Sequence, residues 1–150
     1  MVRYWLSLIT LVFCSSAAAT RFDVCVMQAV RQEHRLNRLE AIQDCFQKNK
    51  STLNMTTCFG TVEKLKLGKA SLELSEQMKS LCFYDVSQFS NVNSCLEKSQ
   101  VFNSAINKDE AVFECYRQFQ NNLSTKSCLK ISKLIKYPLK QEHLIAQCYN

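Results

Sequence analysis

Apolar residues recur at fixed positions around Cys45, Cys82, Cys115 and Cys148 in this 150-residue chain. The residue four positions before each of these cysteines is apolar, and so is the residue three positions before it, except that one copy has Lys79 there. An aromatic residue follows each cysteine directly: Phe46, Phe83, Tyr116 and Tyr149. These positions share one face of an α-helix. The pattern therefore predicts four amphipathic helices, each with its aromatic residue packed in the core against its own disulfide.

Each copy of the pattern also contains an earlier cysteine, which an apolar residue follows. These earlier cysteines are Cys25, Cys58, Cys95 and Cys128. Within a copy, 19 residues separate the two cysteines three times and 23 residues once, while 12 residues always join one copy to the next. So regular a spacing predicts a repeat protein that disulfides stabilise.

A residue that disfavours a helix interior lies between the two cysteines of every copy. These residues are Asn37, Gly68, Asn107 and Pro138. We predict that each copy turns there and forms a helical hairpin. The predicted units span residues 22–48, 57–84, 94–120 and 126–149. Their helices are predicted at 22–35 and 38–48, 57–67 and 70–84, 94–104 and 108–120, and 126–136 and 138–149.

Polar residues mark several of the predicted helix starts. Ser94 with Glu97 and Asn107 with Glu110 have the spacing of a capping box or one close to it. Pro138 suits the first turn of a helix, where a missing N–H costs nothing. These signals support a helix that begins near the first cysteine and a second helix that begins at the turn.

The composition favours an all-α fold of four disulfide-closed helical hairpins. The chain has 2 glycines and 1 proline, too few for the tight turns of a β protein. Residues 36–46 align closely with residues 106–116, which predicts a tandem duplication of a two-hairpin half. Two columns break that match, Leu39 opposite Asp109 and Gln43 opposite Phe113. These four positions need not face a shared core.

Hairpin geometry ranks the disulfide pairings. In an antiparallel helix pair the start of the first helix lies beside the end of the second, which predicts Cys25–Cys45, Cys58–Cys82, Cys95–Cys115 and Cys128–Cys148. The alternative takes each copy as one long helix, whose ends would lie about 30 Å apart, beyond the reach of a disulfide. Pairing would then cross the linkers, from Cys45 to Cys58 onward, and leave Cys25 for Cys148. Gly68 and Pro138 favour the hairpins.

The first 19 residues have the pattern of a secretory signal peptide. Arg3 precedes a short apolar run, residues 4–13, and small residues end at Ala19, where we expect cleavage. The mature domain would be residues 20–150, with eight cysteines and no transmembrane segment. An even cysteine number predicts four disulfides and an extracellular location. Three sequons in the predicted linkers, at Asn49, Asn54 and Asn122, predict a glycoprotein.

No catalytic or metal-binding pattern is present in the sequence. His34 and His143 occupy different places in the repeat, and we interpret them as solvated helix residues. There is no C-x2-C pair for zinc and no nucleophile or phosphate-loop motif. We therefore expect neither an enzyme nor a cofactor, although an unrecognised active site is kept as a third hypothesis.

Charge is concentrated in the last copy. From Lys126 onward the chain has five lysines and one acidic residue, Glu142. Lys126, Lys130 and Lys133 share one side of the predicted helix. Such a row is usually a solvated face, and its functional interpretation is a site for an anionic partner: acidic lipid headgroups, a sulfated glycan or an acidic protein surface. Without Arg3 the net charge is +5, too mild for nucleic acid to be an expected partner.

The segments Glu-Ala-Ile-Gln-Asp-Cys-Phe at 40–46 and Leu-Cys-Phe-Tyr at 81–84 resemble the insect haemolymph glycoprotein family of secreted, cysteine-rich helical proteins. The resemblance implies an exported, glycosylated helical protein and transfers no site residues. Our leading hypothesis is a secreted binding or interaction protein that docks unidentified extracellular partners through its outer helix faces. The alternative is an extracellular carrier that holds a lipid or other small apolar ligand between its two halves.

Overall fold

The computed structural model describes residues 22–66 and 72–149, which contain eight α-helices and no β-strand. The helices are α1 (22–30), α2 (Arg35–Asn49), α3 (Met55–Lys66), α4 (Leu72–Leu81), α5 (Val92–Ser99), α6 (Ala105–Phe119), α7 (Thr125–Ser132) and α8 (Pro138–Gln147). A π-helical turn, Cys82–Val86, follows α4, and a 3-10 turn, Gln120–Asn122, follows α6. The predicted signal peptide and Gly68 lie outside the described residues. No helix within the described ranges is long and apolar enough to cross a membrane.

Consecutive helices form four hairpins, and one disulfide closes each of them. The bonds are Cys25–Cys45, Cys58–Cys82, Cys95–Cys115 and Cys128–Cys148. The Cα atoms of each pair lie 5.6 to 5.8 Å apart, within the normal range for a disulfide. The predicted all-α class and hairpin pairing are confirmed, and the alternative with bonds across the linkers is excluded. The tandem duplication stays a prediction.

Two of the predicted turns lie several residues too late in the chain. Asn37 and Asn107 were expected to break the helix, but they lie inside the first turns of α2 and α6. In the third hairpin Ser104 is the N-cap, and its Oγ accepts the backbone N–H of Asn107 at 3.4 Å. Asn107 therefore does not start the helix, because the cap three residues earlier already does so. Pro138 begins α8 as predicted.

Helices α3, α5 and α7 share a cap that the sequence pattern did not reveal. In each helix, the polar side chain of the residue four positions before the first cysteine accepts a hydrogen bond. The donor is the backbone N–H of the residue three positions after that cap. The caps are Asn54, Asn91 and Ser124, and the N···O distances to Thr57, Ser94 and Ser127 are 2.9, 2.9 and 3.2 Å. The predicted cap at Ser94 is therefore wrong, since Ser94 is the donor and Asn91 is the cap. This arrangement places each first cysteine in the second turn of its helix.

The chain divides into two compact units, the first ending at Cys82 and the second beginning at Phe83. Buried residues of the first unit include Val26, Ile42, Val62 and Met78. In the second unit α6, α7 and α8 enclose a core of Val112, Tyr116, Cys128, Ile131, Ile135 and Leu144. Each unit thus has its own apolar interior, fixed by two disulfides.

The aromatic residues after the second cysteines follow the prediction in three copies. Phe46, Phe83 and Tyr116 are at most 5% exposed, but Tyr149 is 70% exposed. The expectation of a core role for Tyr149 is wrong because α8 ends at Gln147, two residues before the ring. Lys79, the polar exception in the stripe, is nevertheless fully buried. Its Nζ lies 2.6 Å from a carboxylate oxygen of Glu76, so the charge is paired within the first unit.

Candidate functional site

An open apolar groove lies between the N-terminal parts of α6 and α8 in the second unit. Its volume is about 600 Å³, within the usual range for small-molecule sites. The walls are formed by Ile106, Glu110 and Phe113 of α6, by Tyr137, and by Leu139, Lys140 and His143 of α8. Ile106 and Leu139 are 55% and 83% exposed. Large apolar side chains so open to solvent around one concavity indicate a binding surface.

The floor of the groove is the ring of Phe113, which also packs against the core of the second unit. The imidazole of His143 is stacked on it, with ring centroids 5.7 Å apart and an angle of 25° between the planes. His143 Nε2 also lies 3.1 Å from the side-chain nitrogen of Gln147. His143 is exposed, as a solvated helix residue would be, but it is also a fixed part of the groove wall.

The two charged residues of the groove neutralise each other at its rim. Lys140 Nζ forms a salt bridge with a carboxylate oxygen of Glu110. The pair leaves the remaining walls aromatic or aliphatic except for His143. The arrangement suits an uncharged or largely apolar ligand, because neither charge is left without a partner inside the concavity.

Asp109 holds the segment that carries Tyr137. This carboxylate is fully buried and accepts the backbone N–H of Lys136 at 3.0 and 3.1 Å and that of Tyr137 at 2.9 Å. The turn between α7 and α8 is thereby fixed to the second turn of α6. Buried carboxylates require such donors.

The groove was not predicted from the sequence, although the alignment of the first and third copies marks two residues that belong to it or lie beside it. Asp109 and Phe113 are the two positions at which the third copy departs from the first, where Leu39 and Gln43 stand. One of them anchors the turn beside the groove and the other forms its floor. A mismatch between otherwise similar repeats can therefore mark residues that serve one copy alone.

The lysine row predicted on the last copy is exposed in the structure. Lys126 and Lys130 lie on α7 and Lys133 follows its last residue, all three exposed. In the part of the chain that the structure describes, none of them forms a salt bridge. Their spacing places them along one side of the helix. The row is thus available to an anionic partner.

The three predicted glycosylation sites differ in their surroundings. Asn54 and Asn122 are exposed, and Asn54 uses only its carbonyl oxygen as a helix cap. Asn49 is the last residue of α2 and is partly buried, and its side-chain nitrogen donates to the carbonyl oxygen of Cys45 at 2.8 Å. A glycan is attached through that nitrogen. Asn54 and Asn122 are therefore the better acceptor sites.

A half-buried tyrosine of the second unit faces the acidic side of α6. Burial, together with the nearby carboxylates of Glu110 and Glu114, raises the pKa of Tyr84 from 10.0 to about 12, while Arg117 opposes the shift. Since the neutral phenol is favoured, Tyr84 is not poised to act as a base near neutral pH. Among the described side chains, no group of three histidines, cysteines or carboxylates is placed to hold a metal ion.

Comparison with other proteins adds no functional assignment. No protein-family model matches the chain, and no characterised protein or solved structure is significantly similar to it. These results do not bear on the resemblance to the insect haemolymph glycoprotein family, which stays a prediction.

Proposed function

We propose that this chain is a secreted, disulfide-stabilised helical binding protein that holds a small apolar ligand in the groove between α6 and α8. The observation that carries the proposal is the groove itself, a concavity of about 600 Å³ with mainly apolar walls. It lies on helices that disulfides and a buried carboxylate hold in place. A preorganised site loses little conformational entropy on binding.

Export is supported by the leader-like first 19 residues and by the four disulfides. Disulfides in such number are typical of proteins that fold in an oxidising compartment. Glycosylation at Asn54 and Asn122 belongs to the same proposal, because both side chains are exposed. The role requires no catalysis, in agreement with a sequence that has no catalytic motif.

The walls select a ligand with a substantial apolar part. Phe113, Tyr137 and Leu139 offer aromatic and aliphatic contact, and the Glu110–Lys140 salt bridge supplies a polar edge at the rim. A single-chain lipid fits this distribution, with its chain against the aromatic residues and its polar end at the rim. The site lies within the second unit, whereas the sequence had suggested a ligand held between the halves.

Ile106→Gln tests the proposal, and Leu36→Gln is its matched control. Both residues are exposed, at 55% and 72%, and they occupy the same column of the aligned copies, but only Ile106 lines the groove. We expect Ile106→Gln to weaken ligand binding about tenfold, because apolar contact area is lost. Leu36→Gln should bind as the wild type does.

The measurement uses the glycosylated protein from a eukaryotic secretory host. Native mass spectrometry should detect a co-purifying small molecule, and titration with a fluorescent fatty acid should give the affinities of both variants. A bare protein mass together with no uptake of the fatty acid by the wild type would refute the proposal. Equal affinities of the two variants would remove the groove as the site.

A further inference from the structure

The turn between α7 and α8 exposes apolar and basic side chains in alternation. Leu134, Tyr137 and Leu139 are 43%, 45% and 83% exposed. Lys133 before Leu134 and Lys136 before Tyr137 are exposed as well. Five such side chains fall within seven consecutive residues. A row of solvated lysines does not explain why two leucines and a tyrosine are exposed here, and these three residues are too exposed to belong to the core.

Hydrogen bonds and a proline hold the backbone of the turn in place, so its exposed apolar side chains do not fold back onto the core of the second unit. Ile135 is 3% exposed and belongs to the core of the second unit. Asp109 fixes the backbone N–H groups of Lys136 and Tyr137, and Pro138 restricts the backbone at the start of α8. With Ile135 inside and its neighbours outside, the apolar side chains of the turn remain in water unless a partner covers them.

The positive charge around the turn has no counter-charge within the described part of the protein. Lys126, Lys130, Lys133 and Lys136 form no salt bridge there, and Lys140 alone is paired, with Glu110. The four lysines fall within eleven residues of the chain, so they form a local basic surface. The covering partner should therefore be anionic as well as apolar.

We propose that the turn at residues 133–139 docks this protein on the surface of an anionic lipid bilayer. Leu134, Tyr137 and Leu139 would enter the headgroup region, where aromatic and aliphatic side chains are favoured. Lys126, Lys130, Lys133 and Lys136 would contact the acidic headgroups. A sulfated glycan would attract the same lysines, but it would leave the leucines in water.

The predicted glycan at Asn122 would be attached at the other end of α7 from the turn. Asn122 lies three residues before the start of α7, whereas the turn follows that helix. A helix of eight residues separates them, which is about 12 Å at 1.5 Å per residue. The disulfide Cys128–Cys148 lies at the same end as Asn122, so the turn forms the opposite end of the hairpin.

Vesicle co-sedimentation of the full secreted protein tests the inference. We expect binding to phosphatidylcholine vesicles that contain phosphatidylserine, little binding to phosphatidylcholine alone, and weaker binding as salt is raised. Leu134→Ser with Leu139→Ser should lower vesicle binding about tenfold, and Lys126, Lys130 and Lys133 changed to Gln should lower it at least as much. The matched control is Leu36→Ser with Leu72→Ser, at first-unit positions that are 72% and 66% exposed.

Binding to immobilised heparin separates the bilayer from a glycan. The lysine variant should lose whatever heparin binding exists, while the leucine variant should lose vesicle binding and keep its heparin binding. The inference is overturned if the leucine variant sediments with vesicles as the wild type does, or if the wild type binds heparin and no vesicle. Because Leu134 lies outside the groove, Leu134→Ser alone should keep fatty-acid binding, so this test and that of the proposed ligand fail independently.

Discussion

At the scale of single residues, each unit contains a polar group that is buried for a structural reason. Asp109 stands in a column where the first copy has Leu39, and it is fully buried because backbone N–H groups surround its carboxylate. Lys79 is fully buried in the first unit beside Glu76. Lys79 lies where hydrophobic patterning expects an apolar residue, and for both side chains a polar partner explains the burial.

Replacing Asp109 by Ala should destabilise the protein by about 1–3 kcal/mol, because the N–H groups of Lys136 and Tyr137 lose their acceptor. The measurement is the free energy of unfolding in urea. Asp44→Ala is the control, since Asp44 forms an exposed salt bridge with Lys48 that contributes about 0.3–0.5 kcal/mol. Equal losses in the two variants would show that the Asp109 hydrogen bonds do not hold the turn.

The raised pKa of Tyr84 predicts that the protein loses stability at alkaline pH. Its pKa is about 12 in the fold, raised from the ordinary 10.0 by burial and by Glu110 and Glu114. A group with a raised pKa stabilises the fold fully below its unfolded pKa, and that contribution disappears as pH rises from about 10 towards 12. Tyr84→Phe should flatten the fall of the urea midpoint over this range.

The control for this titration is Tyr149→Phe, at a tyrosine that is 70% exposed. It should lose stability with pH as the wild type does. If Tyr84→Phe and Tyr149→Phe follow the same pH curve, the burial of the Tyr84 phenol does not contribute to the alkaline transition.

At the scale of elements, the hairpin is the unit that the chain repeats. In hairpins two to four, the first cysteine lies four residues after a side-chain cap. The second cysteine lies inside the returning helix in hairpins one and three, and directly after its last residue in hairpins two and four. The cap fixes where the first helix begins, and the disulfide fixes which end of the second helix lies beside it. Local hydrogen bonds and one covalent bond thus define the hairpin.

Removing one of these bonds should destabilise the second unit without altering its helices. The double change Cys128→Ser with Cys148→Ser opens a loop whose ends are 20 residues apart, which should cost about 3 kcal/mol. Thermal unfolding followed by circular dichroism measures the effect. The equivalent change at Cys95 and Cys115, with the same separation, should cost a similar amount.

A cost near zero for both pairs would contradict the view that the bonds restrict the unfolded chain. A large cost for one pair alone would indicate that the native packing of that hairpin, rather than its loop length, sets the contribution. Both outcomes are read from the same unfolding curves.

At the scale of the whole molecule, the two units carry similar hairpins but different surfaces. The second unit has the groove, the lysine row and the exposed turn. At the columns that match the α6 residues of the groove, the first unit has Leu36, Glu40 and Gln43. If the halves arose by duplication, as the sequence predicts, the proposed binding surface lies in one half, while both halves share the arrangement of two disulfide-closed hairpins.

The sequence by itself determined the helices, the hairpins and the four disulfides. Helical periodicity and cysteine spacing are properties of short segments, so they can be read along the chain. The turn at Asn107 was misplaced because Ser104, three residues earlier, caps α6, and single-residue preferences do not rank such neighbours. The turn at Asn37 was misplaced because α2 begins at Arg35 without a side-chain cap that the sequence could have marked.

Only the tertiary structure decided where the groove lies and which polar residues are buried. Phe113 and His143 are 30 positions apart in the sequence, and they meet because α6 and α8 pack in the same unit. Asp109 is likewise buried by N–H groups 27 and 28 residues later. Contacts over such separations depend on how helices are arranged in space, and no local pattern of apolar and polar residues encodes that arrangement.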